Sequence, residues 1–217
     1  MSNYSPPPDS GLQIIFVDDH LIIVDKPAGL LSVPGRGEDK ADCLVSRVHA
    51  QFPEALAVHR LDMATSGLLV LARGEAMHKA FSRLFREREV AKRYVAVLDG
   101  LLEQTAGEVD LPLICDWPNR PRQKVDLEIG KPSLTKFRLL SLDPSTNSSR
   151  VELEPITGRS HQLRVHMAAL GHPILGDDLY GSQGAPDPGR LLLHASDLAF
   201  AHPATGEAMR FHCPPPF

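Results

Sequence analysis

The chain has 217 residues, of which 42% are hydrophobic and 23% are charged, and its formal net charge is −4. These values are typical of a globular protein with a sizeable core and exclude a fibrous or wholly disordered chain, while the negative charge gives no general sign of nucleic-acid binding. No signal peptide or apolar run of roughly 20 residues is present, and the three cysteines form no C-x-x-C pair, so we expect a cytoplasmic protein without membrane segments, disulfides or a cysteine-rich zinc site.

The N-terminal quarter of the sequence predicts an arm, two strands and a helix. Residues 1–11 are rich in proline and are expected to form a flexible arm, so the folded domain is expected to span residues 12–217. The segment LQIIFVDDHLIIVDKPAG (12–29) predicts two short strands joined at Asp18-Asp19-His20. In ADCLVSRVHAQF (41–52), apolar residues at four-residue steps predict an amphipathic helix.

The segment HRLDMATSGLLVLAR (59–73) places two charged residues, Arg60 and Asp62, directly before a tight turn and an apolar strand at 68–72. This arrangement puts a carboxylate at the entrance of a strand, where a cleft could use it. Taken alone, the pattern is equally typical of an aspartate that caps a turn with an arginine as its surface neighbour.

The remaining elements predict an α+β fold with a mixed, mostly antiparallel sheet, because strands and helices do not alternate regularly. In EAMHKAFSRLFRER (75–88), apolar residues share one helical face and arginines the other, and this basic face is either a solvated surface or a binding surface. The other predicted elements are strands at 92–100, 134–142, 150–155, 190–200 and 207–211 and a helix at 158–170.

Metal, nucleotide and serine-hydrolase sites are not expected. A cluster of His161, His166 and His172 beside Asp62 is the strongest metal candidate, but H-E-x-x-H is absent and the first two histidines are five residues apart, on different sides of a helix. Gly35-Arg36-Gly37 is a lone G-x-G that predicts a turn, and no G-x-S-x-G motif is present. The sequence therefore predicts no metal and no cofactor.

Three segments read together are far more specific than any one of them. H-R-L-D-x-x-T-S-G (59–67), K-R-Y (92–94) and PITGRSHQLRVHMAALGHPILGDDLYG (155–181) resemble the RluA-type pseudouridine synthases, and the resemblance runs from about Leu12 to the C-terminus. It implies one α+β catalytic domain, without an N-terminal S4 domain, whose sheet is flanked by helices and loops around a central cleft. It also implies an isomerase that converts uridine to pseudouridine without a cofactor.

The segment LPLICDWPNRPRQKV (111–125) is similar to family members that modify an anticodon-loop uridine of tRNA and one uridine in a 23S rRNA hairpin. The resemblance therefore implies that 23S rRNA and tRNA stem-loops are the partners. We expect a monomer with no protein partner. An RNA-binding protein without catalysis and a metal-dependent phosphoesterase are the alternatives, and conversion of uridine in the presence of a chelator distinguishes them.

The resemblance also implies roles for single residues. Asp62 corresponds to the catalytic aspartate, Tyr94 to the active-site tyrosine and Arg164 to the basic residue that pairs with the aspartate. Arg60 corresponds to an arginine that contacts RNA where the target nucleotide flips out. The expected RNA contacts are His59, Arg60, Arg86, Arg93, Arg120, Arg122, Lys124, Arg159 and His161.

The chemistry of these residues leaves several routes open. An aspartate side chain is ionised at neutral pH, so Asp62 can attack C1′, add to the uracil ring, or remove a C2′ proton to give a glycal. A facing guanidinium at Arg164 would keep an enclosed carboxylate charged, and Tyr94 could stack on the detached uracil while it turns.

Overall fold

The computed structural model describes residues 4–217, which divide into two structural units. The first unit comprises the residues up to Lys92 together with His194–Pro216, and the second comprises Arg93–Leu193 with Phe217. In chain order, the strands are β1 (Gln13–Val17), β2 (Leu21–Lys26), β3 (Ala55–Ala57), β4 (Ser66–Arg73), β5 (Ala91–Asp99), β6 (Ala106–Asp110), β7 (Leu113–Cys115), β8 (Gln123–Val125), β9 (Leu134–Asp143), β10 (Ser148–Pro155), β11 (Leu193–Ala201) and β12 (Ala208–His212). The α-helices are α1 (Leu44–His49), α2 (Gly74–Glu87) and α3 (Gln162–Ala169).

The first unit contains β1, β2, β4 and β11 side by side in that order, with β3 paired to β4 and β12 paired to β11. β4 and β11 run parallel, with Ser66 opposite His194, whereas the pairs β1–β2, β2–β4, β3–β4 and β11–β12 are antiparallel. Phe81 and Leu84 of α2 are buried against the apolar face of β2 and β4. The prediction of an amphipathic helix at this position is therefore confirmed.

Local chemistry explains where the first elements turn and begin. The carboxylate of Asp18 accepts the N–H groups of His20 (2.7 Å) and Leu21 (2.8 Å), which makes the turn between β1 and β2. Helix α1 is shorter than predicted at both ends. It starts only at Leu44 because Cys43 and Ser46 form a capping box that fixes its first turn.

Gly67, in the second position of β4, has a φ of 112°, and a Cβ atom there would lie 2.4 Å from the carbonyl oxygen of Ala195. Only glycine permits this close approach of the two parallel strands. The tight turn predicted at residues 65–67 lies instead at Met63-Ala64, and Ser66 and Gly67 already belong to β4.

The second unit contains β5, β10, β9 and β6 side by side, all antiparallel, and a separate pair formed by β7 and β8. Helix α3 lies against β8, β9 and β10. The predicted strands at 92–100, 134–142 and 150–155 and the helix at 158–170 are confirmed, with α3 shorter than predicted. Strands β6, β7 and β8 were not predicted, because three to five residues carry too little periodicity.

The α+β class with a mixed, mostly antiparallel sheet is confirmed. Residues 4–11 have no regular secondary structure, although the Tyr4 hydroxyl accepts the N–H of Leu31 and the Pro7 carbonyl accepts from Arg47. The predicted flexibility of the arm stays a prediction, as does the single domain at 12–217, and residues 1–3 lie outside the described residues. Within residues 4–217, no helix has the length and apolar character needed to cross a bilayer.

Candidate active site

The loop that carries Asp62 is held by hydrogen bonds to its backbone on both sides. The Leu61 N–H donates to the Ser32 hydroxyl oxygen (3.1 Å), and that hydroxyl donates to the Leu61 carbonyl (2.7 Å). On the other side, the Met63 carbonyl accepts the Gly29 N–H (2.9 Å). The Asp62 carbonyl itself accepts the N–H of Thr65 (3.1 Å). The peptide groups around this carboxylate are therefore fixed by the first unit's own scaffold.

Lys26 is the unexpected support of this loop. Its side chain is fully buried, and its ammonium donates to the carbonyl oxygens of Pro27 (2.9 Å), Leu30 (2.7 Å) and Met63 (3.1 Å). A buried ammonium is costly unless its donors are satisfied, and here three carbonyls satisfy them. Lys26 thus connects the end of β2 to the residue after Asp62. No sequence pattern singles out this lysine, because lysines are mostly exposed.

His59 precedes Arg60 in the same segment and faces the interior. Its Nε2 accepts the N–H of Val70 (3.0 Å), and its ring stacks on Phe85 with 4.6 Å between the ring centres. Burial, together with the nearby positive charge of Lys92, lowers the pKa of His59 from 6.5 to about 3. Any contact that His59 makes with RNA is therefore made by a neutral ring.

This environment makes His59 a source of acid sensitivity. The folded state holds His59 neutral, whereas the unfolded chain protonates it below pH 6.5, so stability is lost as the pH falls from 6.5 towards 3. The His59→Gln variant keeps an acceptor for Val70 but cannot take up this proton. We expect its free energy of unfolding to fall less on acidification than that of the wild type, by up to about 1.4 kcal/mol for each pH unit below 6.5. Urea unfolding at about pH 7.5 and 4.5 measures this, with His78→Gln as the control. An equal loss in the wild type and His59→Gln would show that folded His59 takes up a proton.

A second buried polar group lies at the start of β4. The Ser66 hydroxyl is hydrogen-bonded to His194 Nδ1 (2.8 Å), and His194 Nε2 lies 3.2 Å from the Cys213 carbonyl oxygen. Ligand-type atoms of Asp25, His194 and Cys213 lie within 4.8 Å of one another. Burial and the Asp25 carboxylate raise the pKa of the Cys213 thiol to about 11, so it keeps its proton at neutral pH. Ser66, His194 and Cys213 are buried and form a hydrogen-bond network within the first unit.

Tyr94 and Arg93 lie on β5, at the beginning of the second unit. Tyr94 is half-buried and lies opposite Leu153 of β10 in the antiparallel ladder. Arg93 is exposed, and its guanidinium is 3.9 Å from the carboxylate of Glu152. The ladder therefore fixes the backbone of the predicted active-site tyrosine from one side.

Arg164 of α3 is held by two consecutive carboxylates. Its guanidinium donates Nε–H to Asp177 Oδ2 (2.7 Å) and Nη2–H to Asp177 Oδ1 (2.6 Å), and Nη2 is also 3.0 Å from Asp178. The side chains of Arg164 and Asp177 are 4% and 0% exposed, whereas Asp178 is 71% exposed. Burial alone would raise the pKa of Asp177, but the hydrogen bonds and charge of Arg164 hold it below the ordinary value. No sequence pattern singles out Asp177 as the partner of Arg164.

Tyr180 contacts Arg164 and two of the predicted RNA-binding residues, Arg122 and His161. Its hydroxyl is hydrogen-bonded to His161 Nδ1 (2.8 Å) and accepts the N–H of Gln123 (2.7 Å). The guanidinium carbons of Arg164 and Arg122 lie 5.2 and 5.4 Å from the ring centre. His161 has a left-handed backbone conformation (φ 53°), which is costly for a residue other than glycine. The surrounding contacts hold this strained residue in place at the start of α3.

The remaining predicted RNA contacts are exposed arginines and a lysine. Arg60 and Arg159 are exposed, and the Arg159 guanidinium donates to the Pro132 carbonyl (3.3 Å). Arg86 is 70% exposed beside Glu87 on α2, and Lys124 lies 3.5 Å from Asp126. Surface pairs of this kind are weak and can exchange for phosphate, so these side chains are available for contacts with RNA.

The histidines weighed as metal ligands have separate partners in the second unit. His166 contacts Thr135 (2.9 Å) and the Leu111 carbonyl (3.0 Å), and His172 contacts the Asp99 carbonyl (2.9 Å). Within residues 4–217, the only group of metal-ligand type is the Asp25, His194 and Cys213 network. Asp62, His59 and Arg60 belong to the first unit, and Tyr94, Arg164 and His161 to the second.

Known proteins resemble this chain throughout its length. A sequence model of the family described as RNA pseudouridylate synthase matches residues 20–169. The chain is 53% identical to "Dual-specificity RNA pseudouridine synthase RluA" of Escherichia coli K12, over 100% of this chain and 99% of that protein. It is 52% identical to the protein of the same name from Haemophilus influenzae, over 96% and 95%. The solved structure of human RNA pseudouridylate synthase domain containing 1 is similar with a TM-score of 0.82 and 31% identity, over 98% of this chain and 87% of that one.

Proposed function

The chain belongs to the RNA pseudouridylate synthase family, and we propose that it converts uridine to pseudouridine in the anticodon arm of tRNAs and in one hairpin of 23S rRNA. The family makes it an isomerase that acts on RNA. The observation that carries the choice of two substrates is the 53% identity, over nearly the whole of both chains, to a relative whose name states dual specificity.

The reaction moves one glycosidic bond and leaves the composition of the RNA unchanged. The bond between ribose C1′ and uracil N1 breaks, the base turns, C1′ bonds to C5, and the proton lost from C5 is balanced by one gained at N1. In this proposal, the carboxylate of Asp62 acts on the nucleotide as nucleophile or base. The backbone contacts from Ser32, Gly29 and Lys26 support the role, because a group that must meet one atom of a sugar gains from a fixed position.

Arg164 and Tyr94 have supporting roles in this proposal. Arg164 supplies a fixed positive charge for the catalytic carboxylate, and its orientation is set by Asp177. Tyr94 stacks on the detached uracil, and its hydroxyl takes part in proton transfer. The target uridine must leave its stack before any of these groups can reach it, and Arg60 fills the vacated place.

The net charge of −4 is compatible with RNA binding, because the positive charge is local. Phosphate contacts need only a few well-placed Lys and Arg side chains. We assign these contacts to Arg86 of α2, to Arg93, Arg159 and Lys124, and to the loop that carries Arg120 and Arg122. The predictions of a cytoplasmic location and of a monomer without a protein partner belong to this proposal and stay predictions.

Isolated stem-loops test this function. We expect one hairpin that copies a tRNA anticodon arm and one that copies the 23S rRNA hairpin to be modified in the presence of EDTA, and to compete for the enzyme. Pseudouridine is measured by its carbodiimide adduct, which stops reverse transcription. Binding without conversion would favour the non-catalytic RNA-binding alternative, and cleavage that EDTA stops would favour a phosphoesterase. If intact tRNA or rRNA reacts while both hairpins are inert, the enzyme reads more than a stem-loop.

A further inference from the structure

The loop between β7 and β8 exposes an aromatic side chain beside an arginine. Trp117 is 65% exposed, and the guanidinium carbon of Arg120 lies 4.4 Å from the centre of its ring. Trp117 is the single tryptophan of the chain. A large aromatic ring left in water next to a cation is the arrangement with which proteins stack unpaired nucleic-acid bases.

The loop holds this ring in a defined position before any ligand arrives. The Asp116 N–H donates to the Arg122 carbonyl (2.9 Å), and the Arg122 N–H donates to the Asn119 carbonyl (3.1 Å). The Asn119 N–H donates to the Asp116 carbonyl (3.0 Å), and the Asn119 side-chain amide donates to the Asp116 carboxylate (2.8 Å). Trp117 therefore lies in a turn that these hydrogen bonds close, so a ligand that binds its ring loses little conformational entropy of the backbone.

The charges around the ring favour an anionic ligand. Neither Arg120 nor Arg122 forms an ion pair within residues 4–217, and the acidic side chain of the loop, Asp116, accepts a hydrogen bond from Asn119. At the start of β8, the Gln123 N–H donates a hydrogen bond to the hydroxyl of Tyr180, and the ring of Tyr180 also contacts Arg164. Trp117 and Arg164 therefore belong to the same unit, and the hairpin of β7 and β8 that carries Trp117 also contacts Tyr180 beside Arg164.

We propose that Trp117, backed by Arg120, is a stacking site for one unpaired base of the substrate RNA other than the uridine that reacts. The site rests on the proposed function, because it needs an RNA loop with splayed bases. Stacking uses the face of a base and tolerates any of the four, so the site anchors the loop while hydrogen bonds elsewhere read its sequence. A protein partner that covers Trp117 is the competing explanation.

Because Trp117 is the only tryptophan, its fluorescence reports this contact directly. We expect the emission of the Asp62→Asn variant to be quenched by the anticodon-arm hairpin, with the same midpoint as the anisotropy change of the labelled RNA. Trp117→Ala should raise KM for the hairpin about tenfold and change kcat less than about twofold, while Trp117→Phe should recover most of the loss. Leu127→Ala, which removes a 78% exposed apolar side chain from the same unit, is the matched control and should change neither constant.

A double-mutant cycle identifies the base. Abasic substitutions are placed one at a time in the hairpin loop, and at one position the loss of affinity should vanish in the Trp117→Ala background. Additive losses at every loop position, or unquenched emission when RNA is bound, would overturn the stacking site and favour the protein partner. If the wild-type enzyme forms no pseudouridine, the proposed function fails instead, so the two failures are distinguishable.

Discussion

Replacing Asp62 by Asn is expected to reduce pseudouridine formation at least about a thousandfold, a loss of about 4 kcal/mol of transition-state stabilisation. Asparagine has nearly the same shape, but it can neither attack a carbon nor accept a proton as a carboxylate does. The anchoring hydrogen bonds of the loop use the backbone of Leu61, Met63 and Thr65, so they survive the exchange. The fold and the affinity for RNA should therefore remain close to those of the wild type.

Single-turnover conversion of a hairpin measures this loss, and the anisotropy of labelled RNA measures binding. Asp19→Asn provides the control, because it makes the same chemical change at an exposed turn of the first unit. A variant at position 62 that keeps turnover within about tenfold of the wild type would exclude Asp62 as the catalyst. A variant that unfolds or no longer binds RNA would show that the carboxylate supports the structure.

Long periodic segments were the part of the fold that the sequence could predict. Helix α2 was predicted because its apolar residues repeat on one face, and Phe81 and Leu84 are indeed buried. Strands β4, β9 and β10 were predicted because eight to ten residues suffice to reveal a pattern. The pair formed by β7 and β8 was missed, because each strand has only three residues and is defined by contacts with distant groups such as Tyr180.

The candidate site was predictable only in part, and for a related reason. The motif around Asp62 is contiguous, so the sequence alone marks it. Its supports are not contiguous: Ser32 lies 29 residues before Leu61, and Lys26 lies 37 residues before Met63. Lysine and serine are ordinary surface residues, and nothing in the local sequence shows that these two are buried. Residues that position a catalytic group are therefore harder to predict than the group itself.

Loss of Asp177 should show how much the protein depends on the buried arginine at position 164. Asp177→Asn keeps one oxygen for the N–H groups of Leu179 and Tyr180 but removes the charge opposite Arg164, whose side chain is only 4% exposed. We expect the free energy of unfolding to fall by about 1–3 kcal/mol, because the buried guanidinium loses its two charged hydrogen bonds to Asp177 while its contact with Asp178 remains. The activity that remains under folding conditions should fall about a hundredfold, because Arg164 loses its bidentate support.

Asp178→Asn is the matched control, since it alters the 71% exposed neighbour that also contacts Arg164, and such pairs contribute only about 0–1 kcal/mol. The pH dependence gives a second readout. The pKa of folded Asp177 lies below its ordinary value of 3.8, so the stabilisation is present above that value and is lost as the pH falls through the lower folded value. Urea unfolding should therefore show that the difference in the free energy of unfolding between the wild type and Asp177→Asn becomes smaller below about pH 4. If Asp177→Asn and Asp178→Asn are equally mild at neutral pH, Arg164 does not depend on Asp177, and its orientation must be set by another group.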